Sequence, residues 1–186
     1  MNNKNTQKDF IKMPNHKTRK PLNILFLDIE GVLCTNRVQF SKFKRGKLFD
    51  YDPVVVDFLD SICTKYLTQI VIISDQRKET PDLDWFRSKM TQSGGGMLAD
   101  FLFSDCDMWK TTDSSMECKA FEIDDWFQEF KHKYGDRFFV KNYCIISKDD
   151  IGSVSMHDKH FVRVENKHDG MGTCEFRKVL NIMEGA

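Results

Sequence analysis

Asp28 and Glu30 stand two residues apart where an apolar run ends, in Ile24 to Leu33, ILFLDIEGVL. Four apolar residues of the types that suit a strand covered on both faces lead straight into Asp28. Ligands of an open parallel sheet bind just beyond the carboxyl ends of its strands, so an acid there is aimed at a crevice instead of the core. Gly31 lets the chain turn sharply after Glu30 without a Cβ clash. The pattern offers two carboxylates, held close over one turn, for chemistry on a ligand at the sheet edge. Taken alone, D-x-E-G is also compatible with an ordinary acidic turn after a buried strand.

Other residues carry the same kind of signal. Gln69 to Ser74, QIVIIS, repeats the design of the first strand and ends in a hydroxyl, which can donate a hydrogen bond to a phosphoryl oxygen or simply cap the turn. Lys119 opens a helical stretch, E-C-K-A-F-E-I-D-D-W-F, although cations are not normally placed at a helix's positive end. A third apolar strand runs into Ser147, Lys148, Asp149 and Asp150. The H-D-x-H cluster of His157, Asp158 and His160 lacks the four ligands of a structural zinc site and reads as a polar loop.

In order along the chain, these motifs resemble the haloacid dehalogenase (HAD) superfamily of aspartate-nucleophile phosphohydrolases. The strand with D-I-E-G-V-L is similar to its motif I, with Glu30 where most members carry Asp, as in the enolase-phosphatase branch. Ser74 fits motif II. S-D-Q-R resembles the S-x-x-R of a compact branch that includes HAD-like domains of bacterial RNA-repair proteins, which implies that Arg77 is a phosphate contact. Lys119 fits motif III, within a K-x-x-E-I-x-x-W pattern similar to that branch's, and a cation there would neutralise the nucleophile and the phosphoryl oxygens. Motif IV departs from the family, because Ser147 and Lys148 stand where acids that hold Mg²⁺ are expected. Asp149 or Asp150 is left to take that role, or Lys148 to replace the metal as a fixed charge.

The surrounding elements must position these groups. With 186 residues, 40% hydrophobic, the chain is long enough for one well-cored domain. Twenty-eight basic residues balance 28 acidic ones, so no global field drives it onto nucleic acid or an anionic membrane. It contains neither an apolar membrane span nor a signal-peptide h-region. Six scattered cysteines without a C-x-x-C pair suggest free thiols in a reducing, cytoplasmic setting. Residues 1–20 read as a basic tail, either solvated or a nucleic-acid or membrane arm, and residues 21–186 as the domain. Cys34 to Tyr51 reads as a flap in which Phe40, Phe43 and Phe49 are interleaved with basic residues.

Asp52 and Pro53 signal a helix start, with Val55, Phe58, Leu59, Ile62 and Tyr66 on one face. Thr80 and Pro81 open a second helix that ends at the glycines 94 to 96, a loose turn. Phe101 to Ser104 reads as a short strand, Glu117 as the start of a third helix, Tyr143 to Ile146 and Phe161 to Val164 as strands, and Thr173 as the cap of a final helix. Strands alternating with helices predict an α/β fold, and the resemblance implies a three-layer Rossmann-like parallel sheet flanked by helices. Neither interval between motifs has room for a folded cap, which suits a large substrate such as a phosphorylated macromolecule or a nucleic-acid end.

The resemblance implies a Mg²⁺-dependent phosphomonoesterase. Asp28 would be the nucleophile, Glu30 the acid and base, Ser74 and Lys119 the phosphoryl holders, and Asp28, the Glu30 carbonyl and Asp149 the metal ligands. Ser147 and Lys148 support the alternative of a catalytically silent HAD-fold binding module.

Overall fold

The computed structural model describes residues 19–39, 51–104, 106–113, 118–152, 157–166 and 170–185. Of the expected tail, residues 1–20, all but the last two lie outside the described residues, as do residues 40–50 of the expected flap, Cys34 to Tyr51; Lys20 already belongs to the first strand. Strand β1 (Lys20–Leu27) is central. It pairs with β2 (Thr68–Ile72) on one side and β3 (Phe138–Ser147) on the other, while β4 (Phe161–Arg163) lies outside β3. All three pairings are parallel, in the order β2-β1-β3-β4. The apolar runs of β1, β2 and β3 are buried to the last side chain from Ile24 to Leu27, Ile70 to Ile72 and Cys144 to Ile146. Strands sheathed on both faces require this.

Parallel neighbours need long crossovers, and the helices provide them. In chain order these are the single turn α1 (Asn36–Gln39), α2 (Pro53–Tyr66), α3 (Leu83–Gln92), the short α4 (Gly96–Ala99), α5 (Lys119–Tyr134) and α6 (Thr173–Glu184). Helix α2 starts as its sequence indicates, with Asp52 accepting from the Val54 N–H at 3.0 Å and Pro53 in the first turn. Helices α2 and α6 share one face of the sheet, where Phe58 stacks on Phe176 at 4.2 Å between ring centroids. The other face carries α5. There Phe26 meets Trp126 edge-on at 5.2 Å and Phe127 at 5.5 Å. Helices on both faces of a parallel sheet make the three layers of an α/β domain, and among the described residues no cap is evident.

Several boundaries differ from those expected. Phe101 to Ser104 is not a strand: Leu102 makes one isolated bridge to Ile70, and Lys110 another to Ile72. The segment leaves α4 immediately before and cannot extend its pairing beyond the two bonds that Ile70 makes with Phe101 and Phe103. Strand β3 begins at Phe138, well before Tyr143, because its half-exposed first half pairs with Lys20 to Leu22. Thr173 is the first residue of α6 and not its cap; Gly172 precedes it, and its N–H donates to Glu175 Oε2 at 2.9 Å. The three glycines do more than turn, since Gly96 opens α4. Among the described residues the cysteines form no disulfide, and no helix is long and apolar enough to cross a membrane.

Leu27 stands opposite both Ile72 and Ile146 in register, so Asp28, Ser74 and Ser147 emerge at one edge of the sheet. The chain goes from β1 outward to β2 and then returns to the other side of β1 as β3. The crevice between the ends of β1 and β3 is therefore the switch point at which such folds bind ligands. Phe26, without exposed surface and touching three aromatic rings, ties that edge to α5. Phe26→Ala should lower the unfolding free energy by about 3–5 kcal/mol in urea titrations. Phe139→Ala, at a side chain 40% exposed, should cost less than ~1 kcal/mol.

Candidate active site

The first strand ends by burying a charge: Asp28 is only 1% exposed. Its backbone N–H donates to the Ile146 carbonyl at 2.9 Å, which carries the sheet pairing one residue further and fixes where the carboxylate emerges. Two donors meet its Oδ2. Lys119 Nζ lies at 2.7 Å and Ser147 Oγ at 2.7 Å. A buried carboxylate needs such partners, because desolvating an unpaired charge is costly. Lys119 is the first residue of α5, and its ammonium also reaches Asp149 Oδ2 at 3.4 Å. Burial alone would lower its pKa, but the carboxylates of Asp28 and Asp149 outweigh that and hold the ammonium above its usual range. Proximity to a carboxylate pair thus compensates for its placement at the positive end of a helix.

Glu30 is half-buried, and Ser74 Oγ donates to its Oε2. Burial raises the Glu30 carboxyl above the ordinary range; the Ser74 hydrogen bond opposes this, and the adjacent Asp28 carboxylate adds to it. Gly31 follows with φ +75°, a conformation that permits the tight turn. Ser74 caps the short 3-10 helix Asp75–Glu79, its oxygen accepting from Gln76 N at 3.4 Å, so one hydroxyl serves both the turn and the acid.

Asp28, Glu30, Ser74, Lys119 and Asp149 thus converge at the sheet edge, together with Ser147. The role of Ser147 was not legible as a motif. Its hydroxyl also accepts from Asp149 N at 3.1 Å, which curls the loop back over the crevice. Asp150 faces elsewhere, its Oδ1 accepting from Gly152 N at 3.0 Å within its own loop.

Arg77 requires a correction. It is 2% exposed, and each of its five N–H groups already has an acceptor. Nε donates to the Thr111 carbonyl at 2.9 Å, and Nη1 to the carbonyls of Ile73 and Ser74 at 2.9 and 2.8 Å. Nη2 donates to Glu122 Oε2 at 2.6 Å and Asp113 Oδ1 at 3.2 Å. No donor remains for a phosphate. The arginine instead pins the turn after β2 to α5, through a glutamate three residues after Lys119. Glu122, the acid of the K-x-x-E pattern, was the available signal for this pair.

Residues 24–171 match a family model described as the HAD domain in Swiss Army Knife RNA repair proteins. The chain belongs to that family. Comparisons with curated proteins and with solved structures give no match. The three-layer fold, with no cap evident among the described residues, is that expected of a HAD-like domain, and the family lies within the HAD-like phosphohydrolase superfamily.

The donor set of this HAD domain does not fit the magnesium ion that the superfamily implies. Mg²⁺ demands octahedral oxygen ligation and usually engages one or two carboxylates. Here the β3 position facing Asp28 bears a hydroxyl that donates to it, Asp149 is paired with Lys119, and Glu30 accepts from Ser74. Among the described residues no group of three His, Cys, Asp or Glu side chains is placed to hold a metal.

Substitution separates the two roles considered for Arg77. Arg77→Ala leaves Glu122 buried without its charge partner and should destabilise the fold by about 3–5 kcal/mol, read from urea unfolding. Arg77→Lys should recover only part of this, because an ammonium cannot make five bonds in a fork. An unchanged unfolding midpoint with weakened phosphate binding would restore the phosphate-contact role.

Proposed function

We propose that this HAD domain is a phosphomonoesterase acting on the phosphorylated end of a nucleic acid, with Asp28 as nucleophile. The observation that carries the reading is the pairing of two unlike carboxyls: Asp28, buried against Lys119 and Ser147, and Glu30, whose proton affinity is raised beside it. Neighbouring carboxyls whose environments differ divide into nucleophile and acid. Asp28 attacks phosphorus, forming an aspartyl-phosphate as the bond to the leaving oxygen breaks, and Glu30 gives its proton to that oxygen. Glu30, now ionised, takes a proton from water, whose oxygen attacks phosphorus. The bond to Asp28 breaks, and inorganic phosphate leaves. Lys119 offsets the charge that builds on the phosphoryl oxygens. Ser74 orients Glu30 through its hydroxyl.

A nucleic-acid substrate is supported by the family's RNA-repair description and by the surface next to Ser74. Gln76 and Glu79 of the 3-10 helix that Ser74 caps, together with Tyr51, Trp85 and Lys89, line a groove. Trp85 is 42% exposed, with the Lys89 ammonium 5.2 Å from its ring centroid. An exposed indole beside a cation is a platform for a base and its backbone, and such stacking contributes about 1–3 kcal/mol per base. A second reading, the catalytically silent binding module, is favoured by Ser147 in the place of an acid.

Phosphate release from end-phosphorylated oligonucleotides and from p-nitrophenyl phosphate tests the reading. Asp28→Asn should fall to background on both. Glu30→Gln should lose about 10²–10⁴-fold on the oligonucleotide, whose alkoxide leaving group needs the proton. It should lose less on the aryl ester. For the wild type, the rate on the oligonucleotide should fall as pH rises through the elevated Glu30 pKa, because the acid form is consumed. Equal rates for wild type and Asp28→Asn would exclude the nucleophile, and no turnover by wild type on either substrate would favour the silent module.

A further inference from the structure

We propose that this crevice binds a phosphoryl group without a divalent cation, the positive charge being supplied by Lys119 and Lys148. The inference rests on reading the crevice as a phosphate site, and it holds whether or not the bound ester is hydrolysed. Its first support is that an ammonium already occupies the approach between the two acids. Lys119 Nζ stands 2.7 Å from Asp28 Oδ2 and 3.4 Å from Asp149 Oδ2. Ser147, which meets the same Asp28 oxygen, brings no charge and donates its proton to it.

The second support is the seat of Lys148. A Cβ built on Gly31 would stand 2.6 Å from Lys148 Cδ and 3.0 Å from its Cβ, so the lysine stem lies directly against the backbone of that glycine. Gly31 is the residue after Glu30. A side chain there would displace the lysine, and φ +75° disfavours one independently. The loop after β3 is therefore closed onto the turn after β1, with Lys148 carried between Ser147 and Asp149, both of which contact the Asp28 and Lys119 cluster. With Asp149 and Asp28 committed to Lys119, the Lys148 ammonium has no ion-pair partner among the described residues. A half-buried stem packed on the turn after Glu30, ending in a cation with no ion-pair partner among the described residues, leaves a charge available to an anion.

Lys119 is already balanced by Asp28 and Asp149, so Lys148 is the cation that adds uncommitted positive charge for a phosphate. Lysine binds phosphate as a point charge and does not require the ordered octahedral shell of oxygens that magnesium does. The loop sequence Ser147-Lys148 then replaces a metal ligand with a hydroxyl and adds a cation in one step.

Calorimetric titration of the full chain with inorganic phosphate tests this, first in EDTA and then in excess Mg²⁺. Phosphate should bind in EDTA, with a dissociation constant within about twofold of that in Mg²⁺. Lys148→Met should weaken binding about tenfold or more, as expected for a lost charge-assisted hydrogen bond. Lys148→Arg should retain most of it. The double variant Ser147→Asp, Lys148→Asp should bind phosphate only when Mg²⁺ is present. Thermal unfolding of each variant verifies that it is folded. Phosphate binding by the wild type that requires Mg²⁺, or Lys148→Met binding as tightly as wild type, overturns the inference. Absence of phosphate binding in both conditions overturns it together with the phosphate-site reading. Binding in EDTA without ester hydrolysis removes the phosphatase reading and leaves this inference standing.

Discussion

The arrangement of this domain depends on a buried arginine. Arg77 leaves the turn after β2 and spends all its donors inside the protein, on three main-chain carbonyls and two carboxylates. Its strongest partner, Glu122, is itself buried on the first turn of α5. A guanidinium is suited to this because its rigid fork satisfies several acceptors at once, which a buried charge requires. The bond to the Ser74 carbonyl fixes the backbone that carries the Ser74 hydroxyl, and the bond to Glu122 fixes the turn of α5 that carries Lys119. One internal ion pair thereby sets the spacing between the two polar groups that reach Glu30 and Asp28. Trp126 reinforces it one helical turn further on, its indole N–H donating to the Met108 carbonyl at 2.8 Å.

At the sheet edge the electrostatics follow from burial. Asp28 has almost no contact with water, so its charge is sustained by an ammonium and a hydroxyl instead of solvent. Glu30 is half-buried, and that burial, with the Asp28 charge beside it, makes its proton harder to remove. Two acids two residues apart therefore acquire different chemistry from the depth at which one turn leaves them.

The sequence disclosed this edge well, because its evidence was strong and local. Apolar runs of aliphatic and β-branched residues that end in Asp28, Ser74 and Ser147 read as buried strands with polar ends, and parallel pairing then brings those ends together. Lys119 stood out because a cation at a helix start is poorly placed without a partner. What escaped notice depended on tertiary structure. Nothing local distinguishes an arginine aimed at a phosphate from one aimed at Glu122, since both follow the same serine by three residues. The early half of β3 escaped because Phe138 to Asn142 alternate in exposure and break the apolar run, although the backbone keeps its pairing. Phe101 to Ser104 has strand-like residues but too little length between two turns. The service of Ser147 to Asp28 is a matter of distance, which no spacing along the chain reveals.

The two points at which Ile70 and Ile72 touch the neighbouring loop have a further effect. Strand β2 lies at one border of the sheet, where unused N–H and C=O groups would form a template for a foreign strand. The Ile70 N–H and carbonyl are taken by Phe101 and Phe103, and the Ile72 carbonyl by the Thr111 N–H. The opposite border is β4, only three residues long. Among the described residues the sheet therefore presents little on which another chain could nucleate. Irregular loops thus cover one border of an apolar sheet that would otherwise invite edge-to-edge aggregation, and a short strand ends the other.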